Sequence, residues 1–374
     1  MGVPLRQQFQ VGRYILGKRL RGEQRYPLVL MLEPLFRCNL ACSGCGKIDY
    51  SQQILDQRLS YEECMAAIDE CGAPIVSIAG GEPLIHKDMP RIVQGFIQRK
   101  KFVYLCTNAL LLKKRMKDYS PSIYLTFSIH LDGNRERHDA SVCQDGVFDR
   151  AVEAIRTAVN QGFRVTVNCT LFQGESPEEV AQFFDYAMSL GVEGITVAPG
   201  FHYERAPAQE VFLKRKASKE LFRNIFRRHQ GRRWVFNQSS LYLDYLAGNQ
   251  SYQCTPWGNP TRNVFGWQRP CYLLVGEGIA PTFRALMDET DWTQYGLGNN
   301  PKCANCMMHC GFEPTAVNDA ISHPLKALRV FLKGPSTEGP MVAEPPVSDS
   351  VAEAATNTVD VPAPKREHKR RAVV

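Results

Sequence analysis

The sequence predicts an α/β protein built on a parallel β-sheet, and three observations predict it. Between Leu28 and about Pro199, six apolar, β-rich runs alternate with stretches of helical periodicity, and that order makes successive right-handed βαβ units. Helix-end signals fall in the intervals: Ser60 and Glu63 have the spacing of a capping box, and Gly162 and Gly191 stand where helices would close. At 374 residues, with ordinary apolar and charged fractions, the chain can bury a sizeable core. Spacing alone leaves open whether the sheet stays open or curls into a barrel. In both arrangements ligands meet the strands' carboxyl ends.

In order, the strands read at "LVLMLEPL", "IVSIAG", "FVYLCTN", "IYLTFSIH", "RVTVNCTL" and "GITVAP". The helices between them read at "SYEECMAAIDEC", "DMPRIVQGFIQRK", "VFDRAVEAIRTAVNQG" and "SPEEVAQFFDYAMSLG". Ahead of this 28–200 core, residues 1–27 carry Arg6, Arg13, Lys18, Arg19 and Arg21 before the first acidic residue, Glu23. Leu5, Phe9, Leu16 and Leu20 share one helical face there. A basic amphipathic helix of this kind suits an anionic membrane surface, or equally a docking site on its own domain. Residues 201–333 read as a smaller, loop-rich, Cys-rich domain. Residues 334–374, rich in Pro, Ala, Val and Glu, lack the apolar surface to offset ordering entropy and read as a disordered tail.

The net charge of +7 is moderate and unevenly spread. No apolar run reaches the ~18–20 residues of a membrane span. Thirteen cysteines, an odd number, with no export signal, point to thiols in a cytoplasmic, reducing setting.

"FRCNLACSGC" places Cys38, Cys42 and Cys45 in one tight loop after the first strand. A tetrahedral ion or an ordinary iron–sulfur cluster wants four ligands, so one position must be filled from elsewhere. Taken alone, the loop also fits a zinc knuckle with a borrowed fourth ligand. The second strand ends in Gly80-Gly81-Glu82-Pro83, where missing side chains let backbone approach a ligand. Together the two motifs resemble the radical S-adenosylmethionine (SAM) superfamily. The resemblance implies a (βα)6-type partial barrel as a radical SAM core. It implies a [4Fe–4S] cluster on Cys38, Cys42 and Cys45, the fourth iron chelated by the amino and carboxylate groups of SAM. Reductive cleavage of SAM to a 5′-deoxyadenosyl radical follows from the same resemblance, the hard chemistry belonging to the cofactors. It further implies SAM contacts from Gly80, Gly81 and Glu82 and from the strand-end residues Asn108, Ser128, His130 and Asn168. Ser43 and Gly44 stand where the superfamily often has an aromatic residue, and Phe36 lies two residues ahead of the first cysteine instead.

Over residues 1 to about 333 the sequence also resembles the adenosyl-hopene transferases (adenosylhopane synthases) of hopanoid biosynthesis. The matching stretches are "MGVPLRQQFQVGRYILGKRLRG", "EPLFRCNLACSGCGKI", "SIAGGEPLIH", "SIHLDG", "PCYLL" and "CANCMMHCGFEPTAV". This implies addition of the 5′-deoxyadenosyl group to the alkene of diploptene, a membrane-resident triterpene hydrocarbon. It also implies a low-potential electron donor of flavodoxin or ferredoxin type. Addition to a terminal alkene leaves the radical on the more substituted carbon, which then needs a hydrogen atom, or an electron and a proton. A thiol S–H is weaker than a C–H bond, which makes Cys106, in "LCTNA", the candidate donor. Cys64, Cys71, Cys143 and Cys169 read as packing residues.

A greasy substrate favours a place on the inner face of the cytoplasmic membrane for the N-terminal helix and for "LFRNIFRRHQGRRW". Cys254, Cys271, Cys303, Cys306 and Cys310 supply enough thiols for a second centre, iron–sulfur or zinc. Modification of a peptide or a tRNA is the alternative function. Against nucleic acid, the basic residues gather at the N-terminus and one helix, and no RNA-binding motif appears.

Overall fold

The computed structural model describes residues 2–201, 206–229 and 231–344. All six expected strands form: β1 (Val29–Glu33), β2 (Ile75–Ile78), β3 (Phe102–Thr107), β4 (Leu125–His130), β5 (Arg164–Leu171) and β6 (Gly194–Pro199). Each pairs in parallel with the next. With β7 (Thr261–Asn263), β8 (Gly266–Gln268) and β9 (Ile279–Ala280), the sheet among the described residues has nine strands in the order β6-β5-β4-β3-β2-β1-β7-β8-β9, with β6 and β9 at its two ends.

Helices fill the crossovers. Before the sheet comes α1 (Leu5–Leu20); then α2 (Gln52–Leu55) and α3 (Tyr61–Cys71) lie between β1 and β2, and α4 (Met89–Gln98) between β2 and β3. The short α5 (Leu112–Arg115) precedes β4, α6 (Arg135–Ser141) and α7 (Val147–Asn160) precede β5, and α8 (Pro177–Ser189) precedes β6. The capping box at the start of α3 is complete: Glu63 N donates to Ser60 Oγ at 3.1 Å, and Ser60 N donates to Glu63 Oε2 at 2.7 Å. It satisfies two amides that a helix start otherwise leaves unpaired.

Strand alternation divides the sheet into two chemistries. One face carries Leu30, Leu32, Val76, Ile78, Val103, Leu105, Phe127 and Ile129, all inaccessible in the main apolar core. The other face is polar in successive registered rows. Ser77, Tyr104 and Thr126 make one; Cys106, Ser128 and Thr166 the next; His130, Asn168 and Thr196 the last. A period of two sends every second side chain to this face, and the rows climb toward the carboxyl ends.

The helix α1 does two things at once. Gln7 is buried and shares two hydrogen bonds with Tyr104 Oη, at 3.0 and 3.2 Å, while Ile15 packs with Tyr26 and Leu28. Leu5, Phe9, Leu16 and Leu20 nevertheless stand exposed. The helix therefore docks on its own domain and still presents an apolar row outward.

Beyond residue 200 the chain rejoins the same sheet instead of standing apart. β7 (Thr261–Asn263) runs parallel to β1, and β8 (Gly266–Gln268) and β9 (Ile279–Ala280) extend the edge antiparallel. The remaining helices are α9 (Arg215–Arg227), α10 (Ser240–Leu246), α11 (Phe283–Glu289), α12 (His309–Ser322) and α13 (Pro324–Lys333).

Three expectations are corrected here. The stretch "LFRNIFRRHQGRRW" is no lipid face: Leu221, Phe222, Ile225, Phe226 and Trp234 are buried, and Arg228 pairs with Glu178 at 3.0 Å (Gln230 lies outside the described residues). The arginines reach protein partners because the aromatic spacing turns that side of α9 into the core. Residues 334–344, expected to belong to the tail, strap across α9 instead. Arg223 donates to Gly339 O at 2.8 Å, Arg215 pairs with Glu344 at 2.8 Å, and Lys219 pairs with the same carboxylate. The rest of the expected tail, 345–374, lies outside the described residues. Cys143 is also exposed, with φ +55°, and not a packing residue.

Candidate active site

The three-cysteine loop leaves β1 at the carboxyl end of the sheet. Cys45 N donates to Cys42 O at 3.2 Å, and Ser43 N donates to Ser141 O at 3.1 Å, tying the loop to α6. Leu40 packs with Val142 and Val147, and Cys38 and Cys42 lie against that cluster. Burial pushes the Cys38 thiol up to about 12, with the charge of Glu82 adding. Burial also raises Cys42, helped by Cys45 and Cys38, so the three sulfurs feel one another. Thiolates here need a cation to share their charge.

The two glycines after β2 make room for this loop. A Cβ on Gly81 would lie 2.1 Å from Arg37 O and 2.5 Å from Phe36 O, and one on Gly80, at φ +105°, 2.4 Å from Leu35 O. Their backbone is spent on the loop: Gly81 N donates to Leu35 O and Glu82 N to Arg37 O, both at 2.9 Å. Glu82 is a clamp. Its carboxylate, 1 % exposed, accepts from Thr107 Oγ1 at 2.7 Å, Asn108 N at 2.9 Å and Leu84 N at 3.0 Å. Burial raises it to about 7 despite these donors. Asn108 continues the clamp, donating to Asn39 Oδ1 at 2.8 Å and approaching Cys38 Sγ at 3.8 Å. Ala109 follows with φ +66°, a left-handed turn that a non-glycine residue adopts at a cost.

Cys106, Ser128, His130 and Asn168 share the polar face. Cys106 is half-buried, with its Sγ 3.5 Å from Ser77 Oγ, and burial raises its pKa, so the group is a thiol. His130 Nε2 lies 2.7 Å from Asp132 Oδ2. Burial works to lower the histidine, but the Asp132 charge outweighs it and holds the pKa raised. Asp132, itself buried, also accepts from Thr170 N at 2.7 Å. Its own amide donates to His138 Nδ1 at 3.0 Å, and burial lowers His138 to about 4.

Three features escaped the sequence. Asp132 and His138 form a buried frame behind His130, visible only as the "HLDG" run. Glu33 and Lys47, both buried, pair at 2.8 Å just past the cysteine loop, and Lys47 reaches Tyr272 O at 3.4 Å, beside Cys271. Finally, all five C-terminal cysteines line one small cavity, of ≈ 30 Å³, with Phe312 and Phe201. Gly311 fits there because a Cβ would lie 2.3 Å from Cys254 Sγ. Among the described residues no group of three or more His, Cys, Asp or Glu is arranged to hold a single ion.

With this geometry in place the comparisons fall into line. Residues 32–187 match the Radical SAM superfamily. They form a radical SAM domain. Residues 195–330 match a domain of unknown function, DUF3463. The radical SAM domain is similar to GTP 3′,8-cyclase of Aliarcobacter butzleri, 30% identical over 175 residues, 44% of this chain and 54% of that one. It is also similar to Fe-coproporphyrin III synthase of Methanosarcina barkeri, 28% identical over 156 residues, 40% of this chain and 38% of that one. The chain thus spans about half, or less, of these curated relatives. Among solved structures, Streptococcus suis SuiB bound to precursor peptide SuiA aligns with a TM-score of 0.61 at 16% identity, over 80% of this chain and 74% of that one. Native anSMEcpe with bound AdoMet and Cp18Cys peptide aligns at 0.54 and 14% identity, over 82% and 99%. These likenesses show the fold.

The superfamily implies a [4Fe–4S] cluster and SAM, and the residues present fit both. Three thiols on one braced loop match three irons and leave one iron without a protein ligand. The polar rows beside that loop offer a hydroxyl, an imidazole and an amide at the strand ends, where SAM would lie.

Proposed function

We propose that this radical SAM enzyme adds the 5′-deoxyadenosyl group to the alkene of diploptene, forming adenosylhopane. The reading is supported chiefly by the stretches shared with adenosyl-hopene transferases, which run through residues 1 to about 333 and include the C-terminal cysteines. The curated relatives share the radical SAM domain and carry other activities in their names, so that domain alone does not choose the substrate. When bound, the cluster and SAM supply a 5′-deoxyadenosyl radical. Cys38, Cys42 and Cys45 hold the cluster, with Asn108 and Glu82 fixing their loop. Ser128, His130 and Asn168 line the polar face toward SAM.

Cys106 completes the reaction. Addition to the terminal alkene carbon forms a C–C bond and leaves a tertiary carbon radical on the substrate. The Cys106 S–H bond breaks and a C–H bond forms, leaving a sulfur radical. One electron from a flavodoxin- or ferredoxin-type donor and one proton restore the thiol. Ser77 Oγ, 3.5 Å away, orients the sulfur.

The five-thiol cavity supports a second metal centre. Five thiols lining one cavity supply the four cysteine ligands that an iron–sulfur cluster takes. A Cys38/Cys42/Cys45→Ala variant is expected to keep about four irons per chain; zinc in their place, or no metal, overturns this part. For the activity, the test is an anaerobic reaction with SAM, reductant and diploptene, read by mass. Adenosylated hydrocarbon is expected. SAM cleavage with diploptene left intact refutes the substrate.

A further inference from the structure

Eight of the eleven large hydrophobic side chains that stand exposed among the described residues lie on only two helices. Four belong to α1. The others are Leu325, Leu328, Phe331 and Leu332 on α13, a helix without one buried residue. Scattered exposed leucines need no explanation, but concentration on two elements marks a contact surface.

Both helices are anchored next to α12. Ile15 of α1 belongs to a small cluster with Val317 and Ile321 of α12, and Arg19 donates to Asn318 O at 2.9 Å. Three residues past Ile321, α13 begins, held to the body by Ala327 and Val330 and by Ser240 Oγ donating to Ala327 O at 3.1 Å. Both are basic throughout: α1 carries Arg6, Arg13, Lys18 and Arg19, and α13 carries Lys326, Arg329 and Lys333, with no acidic residue on either. Of these, Arg6, Arg13, Arg19, Arg329 and Lys333 are exposed beside the apolar rows. No helix among the described residues is long and apolar enough to cross a membrane.

We propose that the exposed faces of α1 and α13 together form a docking surface for an anionic lipid bilayer. Leucine and phenylalanine enter the headgroup boundary while arginine and lysine meet lipid phosphates. The positive charge selects an anionic lipid surface over a second copy of this chain, whose matching face would be equally positive. The inference extends the lipid-substrate reading but stands on these two helices alone.

The test is cosedimentation of the reconstituted full chain with phosphatidylglycerol-containing vesicles. Wild type is expected to bind, and binding is expected to fall as salt rises past 0.1 M, where the screening length is ~10 Å. Phe331→Ser with Leu332→Ser, and separately Leu5→Ser with Phe9→Ser, are each expected to weaken binding by about tenfold or more, with iron content unchanged. Arg13→Glu with Arg329→Glu tests the charge on a surface that folding does not need. Undiminished binding by all three variants overturns the proposal. So does wild type that ignores vesicles, or a dimer that the serine variants dissociate. Vesicle binding without adenosylhopane production would refute the substrate and leave this surface standing; product without vesicle binding does the reverse.

Discussion

Gly81→Ala places a methyl group where the structure has no space for one. The new Cβ would lie 2.1 Å from Arg37 O, whereas ordinary contact begins near 3.4 Å. The mismatch exceeds 1 Å and falls on backbone of two residues, Phe36 and Arg37, which no rotamer change can clear. Arg37 immediately precedes Cys38, so relief must move the first thiol or break the Glu82 N to Arg37 O bond. Overpacking of this kind costs roughly 1–3 kcal/mol, and displacing a site by about 1 Å is enough to cost ~100-fold in activity. Gly72→Ala is the control. Gly72 has positive φ, at +71°, but nothing lies within 4 Å of its added Cβ, so it pays only left-handed strain of roughly 1–2 kcal/mol. Iron per chain after anaerobic reconstitution, with thermal melting alongside, separates the two. Gly81→Ala is expected to lose most N-terminal cluster iron, and Gly72→Ala to keep it. A Gly81→Ala protein with wild-type iron and SAM cleavage would refute the reasoning.

Three further outcomes follow from the same contacts. Cys106→Ala should leave SAM cleavage intact while cutting adenosylhopane yield; unchanged coupled product, measured by mass, would dismiss the donor role. Lys47→Met leaves Glu33 buried without its cation, at a cost of ~3–5 kcal/mol in urea unfolding, and Glu33→Gln in the same chain should recover part of it. Wild-type stability in the single variant would contradict this. The His130–Asp132 pair sets a pH window: the histidine's raised pKa contributes fully below its ordinary 6.5 and is lost as pH climbs through the folded value. The aspartate's lowered pKa contributes fully above 3.8 and is lost as pH falls through its folded value. The melting-temperature gap between wild type and Asp132→Asn should therefore be widest between those values and shrink at higher pH; a gap independent of pH would count against the pair.

Features carried by local periodicity were legible in the sequence. The alternation of "IYLTFSIH" fixes both β4 and which residues share a face with Cys106, and the Ser60–Glu63 spacing is a chemical signal completed within one turn. What stayed hidden depends on distant partners. "LFRNIFRRHQGRRW" has the composition of a lipid-facing helix; only folding reveals Glu178 and Asp185 waiting for its arginines. The α13 face was missed because ten residues mixing basic and apolar side chains look like any amphipathic helix until no neighbour covers them. Glu82 was read toward the ligand from its motif, whereas its three donors come from β3 and the turn after β2. The five C-terminal cysteines were visible one by one, but that they surround one cavity follows from the β7–β8 hairpin separating Cys254 from Cys271.

The most direct measurement is 5′-deoxyadenosine release from SAM by the anaerobically reconstituted chain with a strong reductant. The wild-type chain should hold iron at Cys38, Cys42 and Cys45 and release the nucleoside, and replacing any one of the three by alanine should abolish release. Release that survives loss of a thiol, or a wild-type chain that carries the iron and leaves SAM whole, would contradict the account at its first step.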